Sequence, residues 1–326
     1  MISVVPYSIE MKCQWDEFAD TCKNGTFLLF RNFMDYHSDR FRDHSMMIYD
    51  DDRLVALFPA NIRCDGVVAS HDGLTYGGLL VRKHEYSQNT ITYFKALLEH
   101  LNRNDIQKII FKQIPSLYCS ISCEEIDYAL GLANARIERV DLVSAIEINS
   151  PDRIKYQRRR CSGINKAREN NISALETDDF SQFWNEILTP NLEARYCVRP
   201  IHTLQEIQQL DQDNPGKIRQ FCAYYDNRIM AGCTVFETDH VAHIQYFSGC
   251  GEGRRNGSLD FLVNYLLTDI YQEKKYLDFG NSNRCGWKNV NNGLLDWKEG
   301  FGARSYAQRF YEVETAAHQL IEDVFV

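Results

Sequence analysis

The spacing of apolar residues predicts one amphipathic helix in the second half of the chain. Apolar side chains recur every three or four residues and form one stripe, which consists of Leu259, Leu262, Val263, Leu266, Leu267, Ile270 and Tyr271. A glycine-rich segment, 249–257, precedes this helix, and a short apolar strand, 276–279, follows it. Earlier in the chain, Thr203 with Glu206 three residues later predicts the start of another helix.

The first half of the chain alternates strand and helix patterns. Residues 45–62 contain two β-rich runs joined by the acidic turn 50–52, which predicts a hairpin. Residues 87–101 predict a helix, and residues 108–113 predict a buried strand that ends before Pro115. A final strand is predicted over 137–148. The pattern is therefore that of a mixed α/β protein.

The second half repeats this order of elements. The segment IYDDDRLVA resembles YYDNRIMA, KIIFKQ corresponds to KKYLDF, and GLANAR resembles GFGAR. The separations are similar, 175 residues between Arg53 and Arg228 and 168 residues between Arg136 and Arg304. These similarities predict an internal duplication. The predicted fold class is α/β with two tandem domains, 1–150 and 151–326, each a twisted mixed sheet flanked by helices.

Composition excludes several classes of protein. The chain has 326 residues with 44% hydrophobic content, and it contains no apolar run near the roughly 20 residues of a membrane span. No signal peptide pattern is visible at its N-terminus. Eleven cysteines without a CxxC pair indicate reduced thiols and a cytoplasmic location, and no metal site is predicted. The net charge of −9 argues against a DNA-binding protein.

The glycine-rich segment is a candidate anion site. Its glycines are accompanied by two arginines just before a helix, where unpaired amides and the helix dipole both favour negative charge. A flexible turn with two solvated arginines is the alternative interpretation. The residues proposed for donor binding are Gly249, Gly251, Arg254, Arg255, Asn256 and Gly257.

These elements together resemble a known family. Hairpin, glycine-rich loop, helix, strand and a terminal strand after Gly-Phe, present twice in tandem, resemble the GNAT acyltransferase superfamily and, more narrowly, its double-GNAT FemAB-like group. The resemblance covers nearly the whole chain, and its most specific matches are SHDGLTYGG, RRRCSGINKAREN, LDFGNS and LLDWKEGFGAR. It implies transfer of an acyl or aminoacyl group to an amine.

The resemblance leaves two donors open. Arg254 and Gly257 fit the GNAT pyrophosphate pattern Q/R-x-x-G-x-G/A, but Leu259 occupies its last position. Acetyl-CoA or another acyl-CoA is the first expectation, bound by the C-terminal domain. Because of the departure at Leu259, aminoacyl-tRNA is the alternative donor, and tRNA is then a partner. A third hypothesis is a catalytically inactive GNAT-like protein that binds a ligand or partner.

Three residues are candidates for catalysis. Lys298 matches a lysine that the Fem-like branch carries near its C-terminus, and the resemblance implies that it stabilises charge on the oxyanion or the leaving group. A surface lysine paired with Asp296 or Glu299 is the alternative. Asp278 lies on the opposite face of its strand from the apolar residues. It could act as a base, and the alternative is a buried carboxylate that holds a neighbouring loop. His71 is the third candidate, with a structural histidine as the alternative.

The acceptor is expected to be an amine, either a small molecule or a nucleotide-linked or lipid-linked precursor such as an amino sugar. Asp72 and Tyr76 share a glycine-rich loop with His71, which assigns the N-terminal domain to the acceptor cleft. Asn281 and Ser282 follow a strand end, where polar groups commonly face a cleft. Arg159 belongs to the basic segment 153–168, which could bind phosphate or remain a solvated helix face.

Overall fold

The computed structural model describes residues 1–36, 38–284, 287–322 and 324–325, with the backbone alone at Tyr196. These residues form two compact units. Unit 1 comprises Met1–Asp141 and Ala307–Val326, and unit 2 comprises Leu142–Tyr306. Unit 1 therefore also contains residues 307–326, which the sequence pattern had grouped with the second domain. The reason is strand pairing, because residues 310–314 form a ladder with residues 108–112.

The described part of the chain contains fifteen strands and ten α-helices. The strands are β1 (Ile2–Pro6), β2 (Arg42–Asp43), β3 (Met46–Asp50), β4 (Arg53–Phe58), β5 (Asn61–Ile62), β6 (Val68–Ala69), β7 (Leu80–Val81), β8 (Lys108–Lys112), β9 (Arg136–Glu147), β10 (Ser173–Thr177), β11 (Ile218–Tyr225), β12 (Arg228–Glu237), β13 (Val241–Gly249), β14 (Tyr276–Asn281) and β15 (Arg304–Glu314). The helices are α1 (Lys12–Asp20), α2 (Arg31–Asp35), α3 (Ser87–Arg103), α4 (Glu125–Leu132), α5 (Arg158–Glu169), α6 (Thr189–Tyr196), α7 (Leu204–Asp213), α8 (Gly251–Asn256), α9 (Ser258–Tyr265) and α10 (Asn292–Glu299).

Unit 1 contains two sheets. The first has the antiparallel order β1-β3-β4-β7, and the second has the order β15-β8-β6-β5-β2, in which only β6 and β8 run parallel. Helix α3 buries the predicted apolar stripe in the core of this unit, including Phe94, Leu97 and Leu98. The predicted hairpin is confirmed, since β3 and β4 pair from Met46 opposite Phe58 to Asp50 opposite Arg53.

Unit 2 is one mixed sheet covered by helices. Its order is β10-β11-β12-β13-β14, followed by the part of β9 that belongs to this unit, and only β13 and β14 run parallel. Helix α9 and a π-helical turn, Leu266–Ile270, carry the predicted apolar stripe. Leu262, Val263, Leu266 and Leu267 from this stripe are buried in the core. The prediction of a helix after the glycine-rich segment is therefore confirmed.

The two units share the predicted repeat. Each contains an antiparallel hairpin with an arginine at the turn, Arg53 opposite Asp50 and Arg228 opposite Tyr225. Each also contains a parallel pair of strands, β6 with β8 and β13 with β14, connected through a helix. The α/β fold class with two tandem domains is thus confirmed. Among the described residues, none of the helices combines the length and the hydrophobicity that crossing a membrane requires.

Helices α5 and α9 approach each other through glycines. Gly257 precedes α9 with a φ of +80°, and a Cβ atom built on it would lie 2.1 Å from the carbonyl oxygen of Gly163. A side chain there would collide with the backbone of α5, and the left-handed φ would strain any L residue. The glycine is therefore explained by helix packing as well as by the turn.

Candidate functional site

The parallel strands β13 and β14 separate in the middle of unit 2. They pair from Val241 opposite Tyr276 to His243 opposite Asp278, and the pairing stops there. Both strands continue, β13 to Gly249 and β14 to Asn281. Backbone groups that no longer pair with the neighbouring strand are available to other ligands. Polar residues of this unit gather around the end of β14.

Lys298 reaches the end of β14 from helix α10. Its side chain is fully buried, and Nζ donates to the carbonyl oxygens of Gly280 at 2.9 Å and of Asn281 at 2.6 Å. Burial lowers the pKa of Lys298 to about 8, although the charge of Asp278 opposes this shift. The alternative of a surface lysine is therefore wrong, because the side chain lies inside the unit and bonds to backbone carbonyls.

Asp278 is buried and holds both a histidine and a loop. Its Oδ2 lies 2.8 Å from Nδ1 of His243, and its Oδ1 accepts a hydrogen bond from the amide of Gly280 at 2.7 Å. Gly280 adopts a φ of +67°, which turns its amide toward Asp278 and its carbonyl toward Lys298. The carboxylate is thus arranged to orient other groups, and only 1% of its residue surface is exposed.

His243 was not among the residues predicted from the sequence. It lies on β13 in the last parallel pair, with Nε2 located 3.1 Å from Oε1 of Gln245. A signal was present in the repeat, since KIIFKQ corresponds to KKYLDF and a histidine lies beside each segment. His243 lies on the parallel strand β13 opposite Asp278, whereas His71 lies two residues after β6 and contacts Lys112 through its backbone carbonyl.

Asn281 and Ser282 complete this end of β14. The Asn281 side chain is exposed, and the backbone carbonyl of Asn281 accepts the hydrogen bond from Nζ of Lys298. Ser282 is buried, and its hydroxyl has no hydrogen-bond partner among the described residues. A buried hydroxyl without a partner is costly unless a ligand or water satisfies it. The structure therefore brings together Lys298, Asp278, Asn281 and Ser282 from the predicted set.

The glycine-rich segment folds into helix α8 and not into an open loop. Four of its amides are already bonded: Cys250 to the carbonyl of Met230, Gly253 to Sγ of Cys250, Arg254 to the carbonyl of Cys250, and Gly257 to the carbonyl of Gly253. These four amides are therefore not open to an anion. Donor binding by this segment stays a prediction, with side chains as the contacts.

A cavity of about 460 Å³ lies beside this segment, within unit 2. It is lined by Arg160, Arg195, Phe247, Gly253, Arg254, Gly257, Leu259, Asp260, Asn291, Gly293, Leu294 and Trp297. Partial desolvation, and then the charges of Arg195 and Arg255, lower the pKa of Arg254. Three arginines face one carboxylate in this lining, so the cavity carries a net positive charge suited to an anion.

One wall of the cavity is held by an ion pair. Nη1 of Arg160 donates to Oδ1 of Asp260 at 2.6 Å, and Nε1 of Trp297 donates to the same oxygen at 2.8 Å. The Trp297 ring stacks on Phe247 with centroids 5.2 Å apart. Burial raises the pKa of Asp260, against the effect of Arg160. This wall is built from α5, α9, α10 and β13 and fixes Trp297 one residue before Lys298.

The remaining donor-binding candidates have local roles. The carbonyl of Gly249 accepts from Nη1 of Arg254 at 2.7 Å, and Oδ1 of Asn256 accepts from the Ser258 hydroxyl at 2.6 Å. Gly251 opens helix α8, while Arg255 is exposed and is absent from the cavity lining. Of the two arginines in the segment, Arg254 is therefore the one that faces the cavity.

His71, Asp72 and Tyr76 lie together in unit 1. Asp72 receives two hydrogen bonds from Arg63 at 2.8 and 2.7 Å, and Tyr76 donates to Thr26 at 3.1 Å. Burial alone would raise the pKa of Asp72, but hydrogen bonds from Arg63 and Asn61 lower it.

His71 is buried with a φ of +66°, and its backbone carbonyl accepts a hydrogen bond from Nζ of Lys112 at 3.0 Å. The carbonyls of Asp72 and Leu74 also accept from Lys112. These contacts make the loop rigid, and its role in binding the acceptor stays a prediction.

The basic segment forms helix α5, as its charge pattern indicates. Arg159 is exposed and donates to Oδ2 of Asp296 at 3.3 Å, an ion pair of little energetic weight. Arg158, Lys166 and Arg168 are also exposed. Within the described ranges, no group of three or more histidine, cysteine or acidic residues is placed to hold a metal ion.

Comparison with known proteins identifies the fold. No protein-family model and no curated protein matches the chain. The structure of FemX is similar over 98% of this chain and 100% of its own, with 10% identity and a TM-score of 0.68. The C-terminal domain of a putative lysylphosphatidylglycerol synthetase from Agrobacterium fabrum is similar over 97% and 96%, with 10% identity and a TM-score of 0.60. A tandem GNAT protein from the clavulanic acid biosynthesis pathway is similar over 97% and 99%, with 12% identity and a TM-score of 0.53.

Proposed function

Because the chain has the double-GNAT fold of the FemAB-like proteins, we propose that it is an N-acyltransferase that forms an amide on an amino group. One observation carries the proposal. Lys298 is a buried ammonium at the point where β13 and β14 have separated, and two of its three N–H groups are bonded to the carbonyls of Gly280 and Asn281. The third N–H group is the donor offered to substrate.

The chemistry of amide formation matches this arrangement. A neutral amine attacks the acyl carbon, negative charge develops on the carbonyl oxygen, and the donor's leaving group departs. An ammonium held in a buried site stabilises that charge strongly, because little water screens it. The buried hydroxyl of Ser282 is a second donor at the same strand end. Lys298 therefore stabilises the oxyanion or the leaving group, and Ser282 orients the substrate.

The first candidate donor is an acyl-CoA. Arg160, Arg195 and Arg254 converge on the 460 Å³ cavity, and guanidinium groups suit the phosphates of such a donor. The stacked rings of Phe247 and Trp297 offer an apolar surface next to them. Unit 2 is accordingly proposed as the donor-binding unit, and the glycine-rich loop of unit 1, with Asp72 and Tyr76, as the acceptor side.

Aminoacyl-tRNA is the second candidate donor. The observation in its favour is that four amides of the glycine-rich segment are bonded within the protein, so the cradle for a diphosphate is reduced. The exposed basic face of α5, with Arg158, Lys166 and Arg168, suits a phosphate backbone. Among the similar structures, FemX and the lysylphosphatidylglycerol synthetase domain are consistent with this donor.

A calorimetric titration tests the proposal and separates the donors. Acetyl-CoA, desulfo-CoA and aminoacyl-tRNA are titrated into wild type, Arg254→Ala and the matched control Arg255→Ala. Saturable CoA binding that weakens about tenfold or more in Arg254→Ala alone supports the acyl-CoA donor. Binding of aminoacyl-tRNA without CoA binding supports the second candidate. If none of the ligands binds or reacts at millimolar CoA, the N-acyltransferase proposal fails and a catalytically inactive binding protein replaces it.

A further inference from the structure

We propose that His243 is the general base of the transfer reaction and that Asp278 is its positioning residue. The inference rests on the proposed N-acyltransferase function and adds a catalytic residue to it. His243 closes the parallel pairing of β13 with β14, so it lies where the two strands begin to separate. It retains 9% exposure, against 1% for Asp278. The ring is therefore the member of the pair that a substrate can reach.

The carboxylate determines which ring nitrogen is basic. Oδ2 of Asp278 lies 2.8 Å from Nδ1 of His243, and a carboxylate at this distance requires a proton on that nitrogen. The second oxygen is fixed by the amide of Gly280. Asp278 therefore has a single orientation, and the neutral ring presents Nε2 as its proton acceptor.

Gln245 serves the imidazole in both of its protonation states. Its Oε1 lies 3.1 Å from Nε2, where it accepts a hydrogen bond from the charged ring. When the ring is neutral, the same amide donates to Nε2 through its nitrogen after a half turn. Because Gln245 is only half-buried, an acceptor amine can take its place at Nε2 without opening the core.

The proton path balances with His243 in this role. Nε2 removes a proton from the amine as the new C–N bond forms and the carbonyl electrons move onto oxygen. When the tetrahedral intermediate collapses, the C–S bond of an acyl-CoA or the C–O bond of an aminoacyl ester breaks. The proton on Nε2 then passes to the leaving sulfur or oxygen. The ring returns to its starting state, and no oxidant, reductant or further reactant is required.

Charged and titratable groups reach this site from three elements. Asp278 faces the ring from β14, Lys298 approaches through Gly280 from α10, and Tyr306 adjoins Asp278 from β15. Burial raises the pKa of Tyr306 to about 12, so this phenol is neutral at working pH. Lys298 supplies a positive charge and Asp278 a negative charge near the ring. The ring therefore has a counter-ion for the imidazolium that forms after proton removal.

In unit 1, the residues that correspond to the His243–Asp278 pair do not form a carboxylate–histidine pair. In the correspondence of KIIFKQ with KKYLDF, Lys112 takes the position of Asp278. Its neighbouring histidine, His71, gives Lys112 a backbone carbonyl and not a ring nitrogen. An ammonium has no lone pair to accept the Nδ1 proton of a histidine. Only unit 2 therefore has the carboxylate that a general base needs.

Imidazole ¹⁵N spectroscopy tests the pair independently of any substrate. We compare the wild type with His243→Gln, with Asp278→Asn and with a control histidine in the same unit, His240→Gln. The expected result is one ring with a protonated Nδ1 and an unprotonated Nε2 at pH 8. Its signals disappear in His243→Gln and remain in His240→Gln. A His243 ring protonated on both nitrogens at pH 8, or lacking the Nδ1 proton, would overturn the proposal.

Kinetics test the chemistry with the donor identified by titration and glycinamide as the amine probe. We expect His243→Gln to lose about 10²-fold or more in kcat, with donor Kd unchanged. Asp278→Asn should lower kcat with donor Kd unchanged and should change the ¹⁵N signature of the His243 ring, because an amide does not hold the Nδ1 proton as a carboxylate does. Full kcat in His243→Gln would refute the base assignment. If the wild type transfers nothing from any donor, the N-acyltransferase proposal fails, while the spectroscopic result still decides the state of the pair.

Discussion

Lys298 and Asp278 are connected through a single residue, Gly280. The amide of Gly280 donates to Oδ1 of Asp278 at 2.7 Å, and its carbonyl accepts from Nζ of Lys298 at 2.9 Å. The two buried charges are thus joined by one peptide dipole without direct contact. This arrangement orients the ammonium and the carboxylate while leaving one N–H group of Lys298 without a bond to any other described residue. Any change at Gly280 should disturb both charges together.

Replacing Lys298 tests the central residue of the site. Lys298→Met keeps much of the apolar stem and removes the ammonium, so transfer should fall about 10²–10³-fold in kcat. Two buried carbonyls also lose their donor, which costs roughly 1–3 kcal/mol each in the free energy of unfolding. Steady-state kinetics and urea unfolding measure the two effects separately.

Lys112→Met is the matched control. Lys112 is also buried and also donates to backbone carbonyls, but it lies in unit 1. We expect it to lower the free energy of unfolding by a similar amount and to raise the KM of the acceptor, while kcat at saturating acceptor remains within a few-fold of wild type. Equal losses of kcat in both variants would mean that Lys298 acts through stability and not through chemistry.

The stability of the protein should increase with pH above 8 because of Lys298. Burial lowers its folded pKa from 10.5 to about 8, so the unfolded chain binds the extra proton between these values. The cost of burying the charge is complete below pH 8 and is relieved as the pH approaches 10.5. Relative to Lys298→Met, the wild type should gain roughly 3 kcal/mol across this range.

Transfer activity should decrease with pH over the range in which the stability increases. If the ammonium form of Lys298 is required, kcat falls as the pH increases through about 8, although the protein becomes more stable. Urea unfolding and kcat are measured for the wild type and for Lys298→Met from pH 7 to pH 10. A difference in stability between them that stays constant with pH would contradict the lowered pKa, whatever the activity does.

Gly257→Ala should disrupt the contact of α5 with α9. The new methyl group would lie 2.1 Å from the carbonyl oxygen of Gly163, and the residue must hold a φ of +80°. The left-handed strain and the collision together should cost about 2–5 kcal/mol. Gly216→Ala is the control, because Gly216 has a φ of +72° but open space around it. A similar melting temperature for both variants would show that the helices simply move apart.

Thr203 should stabilise helix α7 through a capping box. Its hydroxyl accepts from the amide of Glu206 at 3.2 Å, and the Glu206 carboxylate accepts from the amide of Thr203 at 2.7 Å. Thr203→Ala should therefore lower the free energy of unfolding by about 1 kcal/mol. Gln205→Ala, on an exposed position of the same helix, should change it little. Chemical unfolding that gives the same value for both variants would argue against the cap.

Local patterns were sufficient for the elements and their repetition. The apolar stripe of α9, the hairpin of β3 with β4 and the capping box of α7 depend on neighbours in sequence, and all three are confirmed. The grouping of residues 307–326 with unit 1 depends on a pairing between Phe310 and Lys112, about two hundred residues apart in sequence. No local pattern reports such a pairing.

The site was predictable only in part for the same reason. Lys298 was found through resemblance, but its burial depends on how α10 packs against β14. The glycine-rich segment was interpreted as an open anion site, whereas four of its amides are bonded within the protein and its glycine at 257 packs against α5. His243 was missed because its partner Asp278 lies 35 residues away, and the pairing becomes visible only when the strands are aligned.

The return of residues 307–326 to unit 1 has a consequence for protein synthesis. Strand β8 requires β15 as a neighbour, and residues 310–314 of β15 leave the ribosome after all of unit 2. During translation, the edge of β8 that pairs with β15 therefore stays unpaired while residues 142–306 are already available to fold. Synthesis of unit 1 therefore begins before that of unit 2, but its β15–β8–β6–β5–β2 sheet is completed only after unit 2 has been made.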